Sequence, residues 1–459
     1  MNLKISRNKK PRQLRKLKFN LPVTIKFKLD NGLPVYFVRK NTLPFLNLTL
    51  VADAGSKYDP DGKKGLSNLF AMTVDEGAGE YDALQLSDEF EILGAGFNVT
   101  GDQDSVYFSL QILKDEFERG LKLFSKIITE SRMDEGDFNR EQRKVMTRIL
   151  QGRDEPDEIA NEVFEKKVFG DNNPYAFPTI GYENEIEKMT VRDIKEFYNK
   201  ILDPSKAFLV IVGDYETDNL KNLLNRELSG WKNKSSIHTS LSFDSSNPAG
   251  LFLVDKKDSV QSEIRTGLIS FKRNEYDFYS RNILNLIVGG QFTSRLNLNL
   301  RENKGFTYGI FSRFIYLKSA AYFYVSTSVA SDKTGAALSE IFNELKKVRT
   351  GITKKELEFA KSSIIRKFPS GFETYNQIAS NITAQVIHSL PENYFDTYID
   401  KIRSVTVESV LQAAGDNILP DRLTTVVVGN KEGIADQLKK MYDQEITVLD
   451  VSGQVTGKL

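Results

Sequence analysis

Apolar and charged residues alternate at Ile25, Phe27 and Leu29 and again over Val35 to Phe37, with Asn31-Gly32 between the two runs. Period-two alternation on either side of an Asn-Gly pair predicts a β-hairpin. A further strand is expected over Leu46 to Ala52. The spacing then becomes helical over Gly65 to Val74 and over Tyr81 to Leu93, where Ala83, Leu86, Phe90 and Leu93 share a face before Gly94. Apolar residues three and four apart followed by glycine read as helix and C-cap. Phe97 to Leu113 returns to alternation around the polar turn Gly101-Asp102-Gln103-Asp104. Helical spacing resumes at Phe117, Leu121, Phe124 and Ile127 and again from Phe138 to Leu150. Strands followed by helices imply an α+β protein.

The pattern occurs twice. Met189-Thr190-Val191 is echoed by Val405-Thr406-Val407, Leu202-Asp203-Pro204 by Ile418-Leu419-Pro420, and Ile211-Val212-Gly213 by Val427-Val428-Gly429, all at an offset of 216 residues. In each copy a Thr suits a helix N-cap, a Pro ends the connection, and an apolar strand stops at Gly. Phe97 to Ile128 likewise resembles Tyr308 to Leu345, and Met133 to Ile149 resembles Ile352 to Phe368. Two similar α+β domains follow, expected at 24–231 and 251–459, each an antiparallel sheet covered by helices and facing the other around a cleft. Residues 232–250, rich in Ser, Asn, Thr and Lys, read as the linker. Residues 1–23 form a basic arm, without an acid before Asp30. Such an arm suits packing on its own chain or on a partner, a transit peptide, or an anchor to anionic lipid.

Composition narrows the chemistry. The 459 residues carry 63 Lys and Arg against 62 Asp and Glu, so a near-neutral chain gives no general attraction for nucleic acid. There is no Cys, which excludes disulfides, thiol nucleophiles and Cys metal sites, and only two His, His238 and His388, which stand far apart. Neither His is assigned a role. No run of about 18 apolar residues occurs, so no transmembrane helix is expected. The start has no apolar secretory core, which points to the cytoplasm for the chain as written, or to the periplasm had a signal been removed.

Two segments carry candidate chemistry. Gly65-Leu66-Ser67-Asn68-Leu69-Phe70-Ala71-Met72-Thr73-Val74 reads as a short packed helix. Gly289 to Gly309 reads as a helix capped by Gly305 and followed by a strand, with Arg301 in the last turn and Tyr308 at the strand entrance. With the Leu29-Asp30-Asn31-Gly32-Leu33 hairpin, Asn173-Pro174-Tyr175, Pro178-Thr179-Ile180-Gly181, the Val-Gly strand ends and Ser294-Arg295-Leu296, these segments resemble the inverted-motif zinc peptidases. That family includes pitrilysin, insulysin, the mitochondrial processing peptidase and two-domain bacterial relatives.

The resemblance implies a peptide chamber, but one motif departs from it. The family's H-x-x-E-H holds Zn²⁺ with two imidazoles and a third carboxylate, and its Glu activates water. Here the matching positions are Asn68, Ala71 and Met72, and Thr147 and Arg148 stand where the third ligand falls. No metal is expected in this chain. Arg301 and Tyr308 match the family's pair that reaches a scissile carbonyl, and Phe97, Asn98, Val99 and Thr100 match its peptide-pairing edge strand. The resemblance therefore implies a non-zinc subunit whose homologous partner holds the zinc, the two acting together on unfolded peptides. The alternative is a non-catalytic scaffold or peptide-holding protein like the core subunits of respiratory complexes.

Overall fold

The computed structural model describes residues 19–232, 241, 243, 249–275 and 277–459. The arm up to residue 18, His238 and most of the linker lie outside the described residues. Two sheets organise the rest. The first is built from β1 (Ile25–Lys28), β2 (Pro34–Arg39), β3 (Phe45–Ala52), β4 (Gly96–Gly101), β5 (Val106–Leu113) and β6 (Ala207–Gly213), in the order β1-β2-β6-β3-β5-β4. The second is built from β7 (Gly250–Asp255), β8 (Gln261–Ile269), β9 (Ile310–Tyr316), β10 (Ala321–Ala330), β11 (Thr424–Gly429), β12 (Ile446–Leu449) and β13 (Val455–Lys458), in the order β13-β12-β7-β11-β8-β10-β9.

Five strands correspond one for one, β2-β6-β3-β5-β4 with β7-β11-β8-β10-β9, so the duplicated α+β fold expected from the repeat is the one observed. Thr190 and Thr406 each open a helix with a capping box, Val191–Ile201 and Val407–Asn417, and Pro204 and Pro420 each start the short turn before β6 or β11. The sheets are mainly antiparallel. The exceptions are the parallel pairs β2 with β6, β7 with β11 and β7 with β12. They arise because β6, β11 and β12 each return after a helical connection, which frees the strand direction that a tight hairpin would fix.

One face of the first sheet meets its own helices: Leu48, Leu50, Phe108 and Leu110 pack with Leu69, Phe70 and Phe124. The other face is covered from the far half. Tyr375, Ile378 and Ile382 of helix Tyr375–Ile387 lie on Val38, Val210 and Val212. The exchange is reciprocal, since helix Pro156–Phe169 lays Ile159, Val163 and Phe164 on Tyr322, Val426 and Val428 of the second sheet. A sheet with two apolar faces needs a layer on each, and each half supplies the other's second layer.

Polar bonds fix the exchange. Tyr375 Oη accepts from Leu43 N (3.0 Å) and donates to Lys40 O (3.0 Å). Arg265, buried in β8, pairs with Asp157 and donates to Asn161 Oδ1 (2.7 Å) on the opposite helix. Asp104 receives Lys57 Nζ (3.0 Å), Tyr175 Oη (2.6 Å) and the backbone N–H of Lys318 (2.7 Å), which ties the β9–β10 turn to the first half. At the edges of the described residues, Phe19 packs on Phe372 (5.7 Å) and Phe243 on Tyr175 (5.2 Å).

Phe164→Ala and Tyr375→Ala, one in each exchanged helix, should each lower stability by about 3 kcal/mol or more. Urea unfolding followed by tryptophan fluorescence and circular dichroism should remain one transition. Two separated transitions would contradict the interlock.

Candidate functional site

The helix Leu66–Thr73 starts at Gly65, whose φ of +96° suits glycine, and the Asp59 carboxylate caps it by accepting from Gly65 N (2.8 Å) and Ser67 N (2.9 Å). Leu66, Leu69, Phe70, Ala71 and Thr73 are buried, which leaves Asn68 and Met72 half-exposed. The Asn68 amide nitrogen lies 3.9 Å from the Met72 sulfur. In the third-ligand region Thr147 Oγ1 bonds its own helix at Arg143 O (2.9 Å), and the exposed Arg148 pairs with Glu158 at 2.6 Å. An amide, a methyl, a thioether and an outward guanidinium do not fit a Zn²⁺ ion, which takes thiolate, imidazole and carboxylate donors. Among the described residues no group of three or more His, Cys, Asp or Glu could hold a metal ion.

Next to this helix lies a cluster that the sequence reading did not single out. Glu141, almost fully buried, accepts from Arg140 Nε (3.0 Å) and Lys144 Nζ (2.8 Å), and Arg140 also pairs with Glu76 and Asp137. Asp75 stands beside them. Burial, reinforced by the charges of Glu76 and Glu141, pushes its carboxyl up to about 7. The available signal was Glu141 in register with the buried Phe138 and Val145, a carboxylate on an inward helix face.

Strand β4 is the outer strand of its sheet and pairs only with β5. Phe97 stacks on Phe90 at 5.0 Å, and Val99 faces the same helical layer. Asn98 and Thr100 point the other way, into a polar cavity of about 560 Å³ between the halves. Helix Tyr375–Ile387 forms the far wall with Asn376, Ser380 and Thr383, and His388 follows at its end. Burial pushes the His388 imidazole down to about 4, and the charge of Arg273 acts in the same direction, so it is neutral at neutral pH. Ala71 lies beside the end of β4, where a Cβ on Gly101 would stand 3.9 Å from the Ala71 Cβ. The degenerate motif and the candidate peptide strand are therefore neighbours.

Arg301 and Tyr308 lie in the other half. Arg301 sits on the helix Asn297–Asn303, within the segment expected to be helical, and this helix winds as a π-helix, with Lys304 N bonding Asn299 O (3.1 Å). π-turns recur at functional sites. Buried Asn297 donates to Ile310 O (2.6 Å) and so joins this helix to the start of β9. The Arg301 guanidinium lies over the exposed Phe292 ring at 4.6 Å. Tyr308 precedes β9 in a loop that Thr327 Oγ1 holds through Thr307 Oγ1 (3.0 Å) and Gly309 O (2.9 Å). Its side chain is 92% exposed and makes no hydrogen bond among the described residues. Asn297 and Thr327, the positioning residues, were not legible as such.

Residues 35–180 match the insulinase family, peptidase family M16, and residues 188–364 match the peptidase M16 inactive domain. The chain belongs to the M16 peptidase family. It is 24% identical over 418 residues to an uncharacterized zinc protease of Rickettsia bellii, covering 88% of this chain and 96% of that one. It is 22% identical over 403 residues to the non-peptidase homolog YmxG of Helicobacter pylori, covering 87% and 92%. A crystal structure of a peptidase M16 inactive domain from Pseudomonas fluorescens shares the fold with a TM-score of 0.83 at 22% identity, covering 89% of this chain and 98% of that one. Relatives carry both zinc-protease and non-peptidase descriptions. At Asn68, Ala71 and Met72 this chain offers neither an imidazole nor a carboxylate. No described helix is long and apolar enough to cross a membrane.

Because folded Asp75 keeps its proton to about pH 7, whereas the unfolded chain releases it in the ordinary carboxylate range, Asp75 lowers stability progressively as pH rises between those limits. Asp75→Asn should remove that slope and exceed the wild type in urea resistance at about pH 8. Parallel stability curves for the two proteins would contradict the assignment.

Proposed function

We propose that this chain is the zinc-free subunit of a heteromeric M16 metallopeptidase. It supplies Arg301 and Tyr308 and one wall of a peptide chamber to a homologous partner that carries H-x-x-E-H. The observation that supports this most is the outward presentation of the pair. Tyr308 is held in a loop braced by Thr327 yet makes no hydrogen bond among the described residues, and Arg301 stays at the surface between the exposed Phe292 ring and the Glu302 carboxylate (3.5 Å) rather than being sequestered in the core. Phe292, Leu298 and Phe311 are exposed in the same part of the sequence, an apolar setting that suits coverage by another subunit.

A guanidinium and a phenol are hydrogen-bond donors, and donors fixed before reaction stabilise negative charge as it develops on a carbonyl oxygen. The partner's zinc would polarise that carbonyl and activate water. Strand β4, with its outer edge unpaired, would hold an extended peptide by backbone hydrogen bonds, a mode tolerant of sequence. Asn98 and Thr100 would meet alternate peptide side chains from the cavity side.

In the assembled complex, Arg301→Ala and Tyr308→Phe should each cut peptide turnover roughly a hundredfold or more and leave the complex's mobility on a native gel unchanged. Wild-type turnover in both variants would overturn the proposal and leave a scaffold role in its place.

A further inference from the structure

The second half contains a cavity of about 590 Å³ that takes no part in the reading above. It opens between helix Phe278–Val288, helix Lys354–Lys367, the turn Phe368–Phe372, strand β9 and helix Tyr394–Ser404. The duplicated fold makes its position informative. Helix Phe278–Val288 is the repeat counterpart of Leu66–Thr73, and Lys354–Lys367 is the counterpart of Glu135–Gly152, which carries Thr147 and Arg148. Asn282, Asn285 and Leu286 stand on the first of these at the spacing of Asn68, Ala71 and Met72, and all three line the cavity. The space therefore lies against the second half's counterpart of the helix that carries Asn68, Ala71 and Met72.

Its wall has a definite chemistry. Phe278, Phe314, Tyr316, Phe368, Tyr394 and Tyr398 supply rings, and Arg273 and Lys367 supply positive charge. No carboxylate lines it. The nearby buried Asp277 is already engaged with Arg281 (2.7 Å). Neither Arg273 nor Lys367 has an ion-pair partner among the described residues, and Arg273 Nε is buried without a hydrogen-bond partner while its guanidinium lies 5.4 Å from the Phe278 ring. A guanidinium with an unused buried donor next to aromatic rings matches the planar fork of a carboxylate joined to an apolar body. The volume falls in the roughly 300–1,000 Å³ typical of small-ligand sites.

We propose that this cavity binds a monocarboxylate on an aromatic or long apolar body, with Arg273 on the carboxylate and Lys367 at the mouth. The chemistry is shared by the C-terminus of an apolar peptide and by a free aryl acid. The site lies in this chain alone, so it stands or falls independently of any zinc-bearing partner.

Calorimetric titration of the full chain with N-acetyl-Phe-Phe and with its C-terminal amide tests this. The acid should bind one to one and the amide at least about tenfold more weakly, the usual effect of losing a charged hydrogen bond. Arg273→Gln should bring the acid to the amide's level. Lys367→Gln, an exposed helix-end change that spares the fold, should weaken the acid alone. Titration with 3-phenylpropionate separates the sources: affinity equal to that of the peptide acid points to free aryl acids, and weaker affinity to peptide ends. Equal binding of acid and amide, no binding of any acid, or acid preference unchanged in both variants would overturn the assignment.

Discussion

The exchange of one helix between the two halves is the constraint on which the rest of the molecule depends. Each sheet has two apolar faces, and the second face of each is closed only when the other half is in place: Tyr375 and Ile378 on β6 and its neighbours, Val163 and Phe164 on β8 and β11. An apolar sheet face left bare would cost far more than the marginal stability of a domain. The halves are consequently locked in one orientation, with Asp104 and Arg265 as buried polar checks on the register. The polar cavity lined by Asn98, Thr100 and Asn376 exists because the exchanged helix Tyr375–Ile387 crosses the sheet beside the edge strand.

Within that frame the two halves have diverged in complementary ways. The first has the helix Leu66–Thr73, which buries Leu66, Leu69, Phe70, Ala71 and Thr73 and leaves Asn68 and Met72 half-exposed, together with the outer strand β4. The second has Arg301 and Tyr308 braced by Asn297 and Thr327 and directed outward. A rigid frame of this kind suits the pairing proposed above, because preorganised groups gain nothing from a mobile scaffold.

Much of this was legible in the residues. The offset of 216 between Thr190 and Thr406 corresponds in the structure to two capping boxes and two equivalent strands, because a cap and a strand end are local features that a few residues determine. The hairpin at Asn31-Gly32 follows from the same local rules, whereas the edge position of Phe97 to Thr100 was implied by the family resemblance and not by local pattern. The helix exchange was not legible, since an amphipathic helix shows the same periodicity whichever sheet it covers. The parallel pairs had no signature either, because strand direction depends on the path of the connection. The π-turn under Arg301 comes from tertiary ties such as Asn297 to Ile310, which no local pattern encodes. Asp75 lay hidden for a similar reason, since its environment is set by burial, whereas Glu141 carried a signal in its register with Phe138 and Val145.

The most direct test of the central claim is native mass spectrometry, with zinc analysis, of the complex captured gently from the cells that make it. The account predicts a hetero-assembly in which this chain is matched by a homologous chain bearing H-x-x-E-H, with zinc in proportion to that second chain. A zinc-free assembly containing only copies of this chain would contradict it.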